Sequence, residues 1–326
     1  MNWQSLADKV LKGVNISREE ALAIVKSADG ELVDLLHAAF RIREATHGRD
    51  VYVHVLRNAR SGACPEDCSF CSQSSEYNTG IPEYPMQSVE ELVAGATEAH
   101  GTGAARYCMV TATRGPSKRD LDVVCEAVKQ IKEMYPKLEL CTSLGLLTEA
   151  KAQRLAEAGV DRYNHNLETS ERCFSDMVST HGYNDRVGTI EAVHKAGMEA
   201  CCGGIMGMGE ELVDQVDLAL ALRDLEVESI PVNFLDPRPG TPMGENERLT
   251  PHQCLKTLAM FRFVNPTRDI RVAGGREANL GEMQSLALYP ANSIFTDGYL
   301  TTGGQRATED RKLIEDAGFR VLMEVS

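Results

Sequence analysis

Val51-Tyr-Val-His-Val-Leu56 runs on through Arg57-Asn58-Ala-Arg-Ser-Gly62-Ala into Cys64-Pro-Glu-Asp-Cys68-Ser-Phe-Cys71. The first six residues are rich in β-branched and apolar side chains, as in a buried strand. A polar, glycine- and proline-marked loop carrying three cysteines comes next. Outward from this passage the rhythm repeats. Further β-branched runs stand at 105–111, 139–142, 162–164, 199–203, 229–233, 270–272 and 293–295. Amphipathic stretches of helical period lie at 88–100, 120–134, 148–158, 185–196, 211–225, 250–264, 281–288 and 305–317. Gly159, Gly197 and Gly318 stand where helices would stop. Repeated strand and helix means parallel strands with crossovers, so the expected fold class is α/β, a (β/α)8 TIM barrel. A doubly wound sheet is the competing arrangement. Against it, the glycine-rich stretches 101–106 and 207–212 both lack the third glycine of a dinucleotide fingerprint.

Before Val51 the pattern is helical. Ser17-Arg-Glu-Glu20 reads as a capping box, and Ala21, Ala23, Ile24, Val33, Leu36 and Ala39 recur at helical intervals. The expected organisation is an N-terminal helical extension, residues 1–48, ahead of a barrel domain, residues 49–326.

The chain has 326 residues, with 34 Lys and Arg against 48 Asp and Glu and a net charge of −14. This balance argues against nucleic acid or an anionic membrane as partner. No uncharged apolar stretch approaches the ~18 residues of a membrane span, and Asp8 and Lys9 interrupt any secretory signal. A cytoplasmic enzyme is expected. In a reducing compartment its ten cysteines point to metal binding or catalysis where they cluster.

Cys64, Cys68 and Cys71 fall in the loop after the first strand, the end of a barrel where active sites are built. A CxxxCxxC loop can hold three irons of a four-iron cluster and leave the fourth open, whereas ferredoxin loops bring a cysteine for every iron. Phe70 offers a flat face for a purine ring. The alternatives are three unligated thiols or a zinc loop, although structural zinc normally takes four Cys or His ligands.

Cys108, Cys141, Cys201 and Arg271 fall on four different strands. Inward side chains of a barrel converge on its axis, so these four can share one site. Scattered cysteines are also common core residues. A buried arginine without a metal needs an acidic or anionic partner, a reading that applies to Arg106 and Arg276 as well. Cys202 is expected on the opposite face from Cys201. Cys125 and Cys254 share apolar helix faces and read as core, while Cys173 shows no pattern. Asn164, Asn166 and Glu168 alternate, so an extended backbone puts them on one face with His165, read as structural, on the other. An Asn-rich turn is the alternative.

The cysteine loop with an aromatic residue before its last cysteine resembles the radical S-adenosylmethionine superfamily. The ordered set Cys64-Pro-Glu-Asp-Cys68, Tyr163-Asn-His-Asn-Leu-Glu-Thr-Ser170, Cys202-Gly-Gly-Ile205 and Arg271-Val-Ala-Gly-Gly-Arg-Glu277 is more closely similar to the biotin synthase family, over residues from about 50 to 295. This resemblance implies a [4Fe-4S] cluster on Cys64, Cys68 and Cys71, with S-adenosyl-L-methionine on its open iron. It implies an auxiliary [2Fe-2S] cluster on Cys108, Cys141, Cys201 and Arg271, an unusual ligand because guanidinium holds its proton tightly. Asn166 and Glu168 would contact the ribose of S-adenosylmethionine, and Asn164 and Asn233 the substrate, dethiobiotin. Some members carry Asp where this chain has Glu168. Also implied are radical insertion of sulfur to give biotin, a flavodoxin or ferredoxin as electron donor, and a homodimer. Two other readings stand beside it. Another barrel of the superfamily, such as a cofactor maturase or an amino-acid mutase, would share the loop cysteines without the strand set. An iron–sulfur carrier would need neither the open iron nor the Asn164/Asn166/Glu168 row.

Overall fold

The computed structural model describes residues 1–322, so the last four residues of the expected 49–326 domain lie outside the described residues. Among the described residues ten strands follow in chain order: β1 Asp50–Arg60, β2 Arg106–Thr111, β3 Glu139–Ser143, β4 Arg162–Asn164, β5 Glu199–Cys201, β6 Gly204–Met206, β7 Ser229–Phe234, β8 Asp269–Val272, β9 Ser293–Thr296 and β10 Arg320–Val321. Their pairings are parallel, in the order β1-β2-β3-β4-β5-β7-β8-β9, and the β1–β9 pair closes the ring. Eight strand positions make the closed barrel, as the alternation in the sequence predicts.

Two strands depart from that reading. Where one strand is expected at 199–203, β5 ends at Cys201 and a separate short strand, β6, starts at Gly204; both pair with β7. A Cβ on Gly203 would run into the carbonyl of Pro231, and one on Gly204 into the carbonyl of Glu168. The two glycines let the chain step between neighbours at a distance no other residue allows. The final strand, β10, pairs with the first residues of β1 outside the ring and is held by an Arg320–Asp50 ion pair of 2.9 Å. Two residues give no periodicity to read.

The helices start where capping chemistry puts them. Ser17 with Glu20, Ser88 with Glu91 and Thr250 with Gln253 each form a reciprocal box. The helix Pro251–Val264 is buried from Cys254 to Val264 and packs against helices Arg18–Val25 and Leu32–His47 of the N-terminal extension. The segment 281–288 is a 3-10 helix. Among the described residues no helix is long and apolar enough to cross a membrane. Cys125 and Cys254 are core residues, as expected, and Cys173 is buried in the short helix Glu171–Met177.

The N-terminal end of the barrel is tied off by two fully buried arginines. Arg43 donates to the carbonyls of Ala291 (3.1 Å), Asp50 (2.6 Å) and Gly48. Arg262 donates to those of Pro290 (2.8 Å), Pro266 (3.0 Å) and Arg268 (2.8 Å), and to Asn292 Oδ1 (2.7 Å). Burial pulls their pKa values down to about 10 and about 9. They serve carbonyl groups that strand starts and turns leave unpaired. Replacing Arg43 with Met strips a donor from three carbonyls at ~1–3 kcal/mol each. The expected loss in urea unfolding is at least ~3 kcal/mol, and a loss too small to measure contradicts this account.

Candidate active site

The barrel interior is built in layers, each a step of two along the strands. The lowest layer is ionic: Arg106 of β2, Glu139 of β3, Arg162 of β4, Glu199 of β5 and Asp269 of β8. Arg106 pairs with both Glu139 and Asp269. Arg162 bridges Glu199 at 2.5 Å, Glu139 at 3.4 Å and Asp269 at 3.6 Å. Burial alone would raise the pKa of Asp269, but Arg106 and Arg271 hold it well below the ordinary carboxylate range. The partner expected for Arg106 is thus present. Arg276 finds its own, Asp310, at 2.7 Å in a separate network outside the cavity.

Two residues further along the same strands stand Cys108, Cys141, Asn164, Cys201 and Arg271, all lining one cavity of about 310 Å³. Cys108 and Cys141 stand opposite each other in the β2–β3 register, and Asn164 and Cys201 in that of β4–β5. Arg271 directs Nη1 at Cys201 Sγ, 3.6 Å away, and Nη2 at Ser229 Oγ, 2.9 Å away. Its Nε is buried without a partner among the described residues, and the guanidinium lies 4.8 Å from the Phe295 ring centre. The structure therefore brings together all four residues of the strand set. Cys202 packs in the apolar core away from the cavity, as the alternation of a strand requires.

Cys64, Cys68 and Cys71 line the same cavity at the C-terminal end of the barrel, with Phe70 beside them. Burial pushes all three thiols up, Cys71 to about 11. At Cys68 the positive charge of Arg186 opposes that effect. Phe174, Met177, Met208, Leu235 and Met243 form an apolar shell behind the loop.

Between the two thiol sets runs the Asn164/Asn166/Glu168 row. Asn164 Nδ2 reaches Asn166 Oδ1 and Asn166 Nδ2 reaches Glu168 Oε2, each at 3.3 Å. All three line the cavity, but not on the continuous extended backbone expected. β4 ends at Asn164, and Glu168 takes a left-handed φ of 69°, a conformation that costs a non-glycine residue ~1–3 kcal/mol. Hydrogen bonds from Glu168 N to Gly203 O (3.1 Å) and from Ile205 N to Glu168 O (2.8 Å) hold it there. His165, expected on the opposite face, also lines the cavity, with Nε2 buried and without a partner among the described residues. The end of the strand explains the difference, because face alternation does not survive a turn. Asn233 stands across the cavity on β7. Its Nδ2 donates to Gly204 O (3.1 Å) and its Oδ1 accepts from Gly274 N (2.8 Å), leaving one N–H and one lone pair for a ligand.

The residue missed in the sequence is Arg186, near the start of the helix Tyr183–Lys195. It donates to Asn166 O (2.7 Å) and Glu168 Oε1 (3.3 Å). Its only signal was an arginine on the inward face of an otherwise ordinary helix.

Residues 58–222 match the model of the Radical SAM superfamily, and residues 231–320 that of the Biotin and Thiamin Synthesis associated domain. The chain is 56% identical to the biotin synthase of Salinibacter ruber, covering 97% of this chain and 88% of that one. It is 50% identical to that of Lysinibacillus sphaericus (98% and 96%) and 48% identical to that of Bacillus subtilis (98% and 95%). Among solved structures, methylornithine synthase superposes with a TM-score of 0.86 at 19% identity, over 97% of both chains. The FeFe-hydrogenase maturase of Carboxydothermus hydrogenoformans gives 0.84 at 17% identity, over 99% of this chain and 80% of that one. At such identities these two speak for the fold alone.

The turn after Glu168 is anchored by Asp214, which accepts from Ser170 Oγ (2.7 Å) and from Arg172 Nε (2.9 Å). Burial opposes its charge, but these donors outweigh it and bring its pKa down to about 2. A depressed carboxylate contributes stability that is present above its unfolded pKa, ~3.9, and is lost as pH falls through the folded value. Asp214→Asn is therefore expected to be less stable than the parent at pH 7, with the gap closing between about pH 4 and pH 2. A gap that persists unchanged at the lowest pH at which both still fold contradicts this.

Proposed function

The chain belongs to the biotin synthase family of radical S-adenosylmethionine enzymes, and from that premise we propose that it converts dethiobiotin to biotin by inserting sulfur. In this reading Cys64, Cys68 and Cys71 hold a [4Fe-4S] cluster, and Cys108, Cys141, Cys201 and Arg271 hold a [2Fe-2S] cluster. The observation that carries it is that both thiol sets, the loop set above and the strand set below, face a single cavity. The donor chemistry fits. Each set supplies three thiols, and the lower one adds a guanidinium whose Nε has no partner among the described residues. When bound, the upper cluster supplies an electron to the sulfonium of S-adenosylmethionine, generating a radical able to take hydrogen from an unactivated carbon, and the lower cluster supplies sulfur.

The chain's own residues bind, orient and exclude water. Glu168, with one oxygen on Asn166 and the other on Arg186, keeps acceptor capacity for ribose hydroxyls, and Asn166 stands beside it. Phe70 gives the adenine an apolar face. The free N–H and lone pair of Asn233 match the carbonyl and N–H of a cyclic urea, and Asn164, tied to the Cys201 carbonyl at 3.1 Å, presents its own oxygen from the other wall. The methionine- and phenylalanine-lined shell behind the loop keeps water from the reacting atoms. A flavodoxin or ferredoxin as electron source, a homodimer and a cytoplasmic location belong to the same reading, which the family supports.

Anaerobic reconstitution with iron and sulfide, followed by reductant, S-adenosylmethionine and dethiobiotin, is expected to yield deoxyadenosine and biotin. Deoxyadenosine without biotin would remove dethiobiotin as substrate and leave another reaction of the superfamily. Neither product would remove the enzymatic reading. Two substitutions sharpen the test. Cys201→Ser is expected to lose the visible absorption of the lower cluster and Cys202→Ser to keep it; the reverse reassigns the ligand. Asn233→Ala is expected to lower kcat/KM for dethiobiotin about tenfold, the worth of one hydrogen bond, with both cluster spectra unchanged. A variant with unaltered kcat/KM places the urea elsewhere.

A further inference from the structure

Glu66 and Asp67 lie inside the cysteine loop, and the segment Ser179-Thr180-His181 grips them from the side. Asp67 accepts from the backbone N–H groups of Ser179 (3.0 Å) and Thr180 (3.2 Å) and from the Ser179 hydroxyl. Glu66 accepts from Thr180 Oγ1 and from His181 Nδ1. The other ring nitrogen of His181, Nε2, accepts from Arg186 Nε at 2.9 Å. One nitrogen donates and the other accepts, so the imidazole is neutral and held in one tautomer. The guanidinium is fixed on its remaining sides by Asn166 O, by Glu168 and by the Phe174 ring, 5.4 Å from its centre. So held, Arg186 directs Nη2 at Cys68 Sγ, 3.9 Å away. His181 and Arg186 are both buried.

We propose that His181 is a positioning residue: through its two ring nitrogens it holds the charge of Arg186 against Cys68, and this raises the reduction potential of the cluster carried by that loop. The inference rests on the reading of Cys64, Cys68 and Cys71 as cluster ligands. Potentials of such clusters are set by net charge and by hydrogen bonds to the sulfurs. Reduction adds one negative charge in a site walled by apolar residues, where a fixed guanidinium is screened little. The donor stabilises the reduced form more than the oxidised one. Without the imidazole, Arg186 keeps its carboxylate and carbonyl partners but loses the contact that sets its angle toward the sulfur.

Two amides separate this role from simple packing. The side chain of Gln reaches the position of Nε2 and can accept from Arg186; that of Asn reaches only the position of Nδ1 and can donate only to Glu66. The experiment is a redox titration of the reconstituted full-length protein without S-adenosylmethionine, followed by electron paramagnetic resonance. His181→Asn is expected to shift the one-electron equilibrium about tenfold against reduction, equivalent to ~59 mV, and His181→Gln to stay close to the parent. Arg186→Gln is expected to shift at least as far as His181→Asn and serves as the second variant if the histidine substitutions do not fold. If Arg186→Gln titrates with the parent, or if His181→Asn and His181→Gln shift equally, the proposal is overturned. A parent protein that assembles no four-iron cluster fails earlier, at iron and sulfide analysis, and overturns the functional reading instead.

Discussion

An ionic floor governs the interior of this barrel. Arg106, Glu139, Arg162, Glu199 and Asp269 come from five strands and meet near the axis. Buried charge is tolerable only when each group finds its partner, because an unpaired one keeps its full desolvation cost. With Arg271 added, the ring holds three guanidinium groups and three carboxylates, so it closes neutral. A slip of one residue on β2, β4 or β8 would turn the buried Arg106, Arg162 or Asp269 away and leave a partner stranded, whereas Glu139 and Glu199 close the ring from its half-exposed rim. Register is thereby locked, and the residues two places on are locked with it. Those residues are Cys108, Cys141, Asn164, Cys201 and Arg271. The geometry of the thiol layer is inherited from the charges beneath it.

This explains what could and could not be read in advance. The strand positions were legible because β-branched runs separated by helical stretches have few other solutions. The inward direction of Cys108, Cys141 and Cys201 was legible only as a possibility, since alternation says that two faces exist but not which is inside. The charged residues two places before them carried that information, and their pairing becomes visible only when five strands are brought together. The inward side of His165 and the turn at Glu168 escaped for a different reason. Both lie beyond the end of β4, where a left-handed residue and a pair of glycines on the neighbouring chain set the direction of each side chain. Alternation has no authority over a turn. The split of the fifth strand has the same origin in Gly203 and Gly204, whose significance is the closeness of the carbonyls of Pro231 and Glu168.

Above the floor the chemistry passes from charge to hydrogen bonds to apolar surface. Asn164, Asn166 and Glu168 lead upward from the strand thiols to Arg186, and from there to the loop thiols. Each polar group in this column has at least one fixed protein partner, yet several keep a free donor or acceptor facing the cavity. A ligand entering such a column replaces few existing bonds and meets groups already oriented, which limits the ordering that binding must accomplish.

The two stretches matched by separate family models, 58–222 and 231–320, meet between β6 and β7 inside one closed ring. β7, β8 and β9 belong to the second stretch, as do Asn233, Arg271 and Phe295. Neither stretch is a body that could stand alone. Severed there, the first would end in a raw parallel edge at β5 and β6 and expose another at β1, an invitation to intermolecular pairing. The join therefore separates two recurring sequence patterns and not two folding units. A lineage could exchange the last three staves of the barrel and alter one wall of the chamber while leaving the cysteine loop untouched, provided the new staves still delivered one carboxylate to the floor.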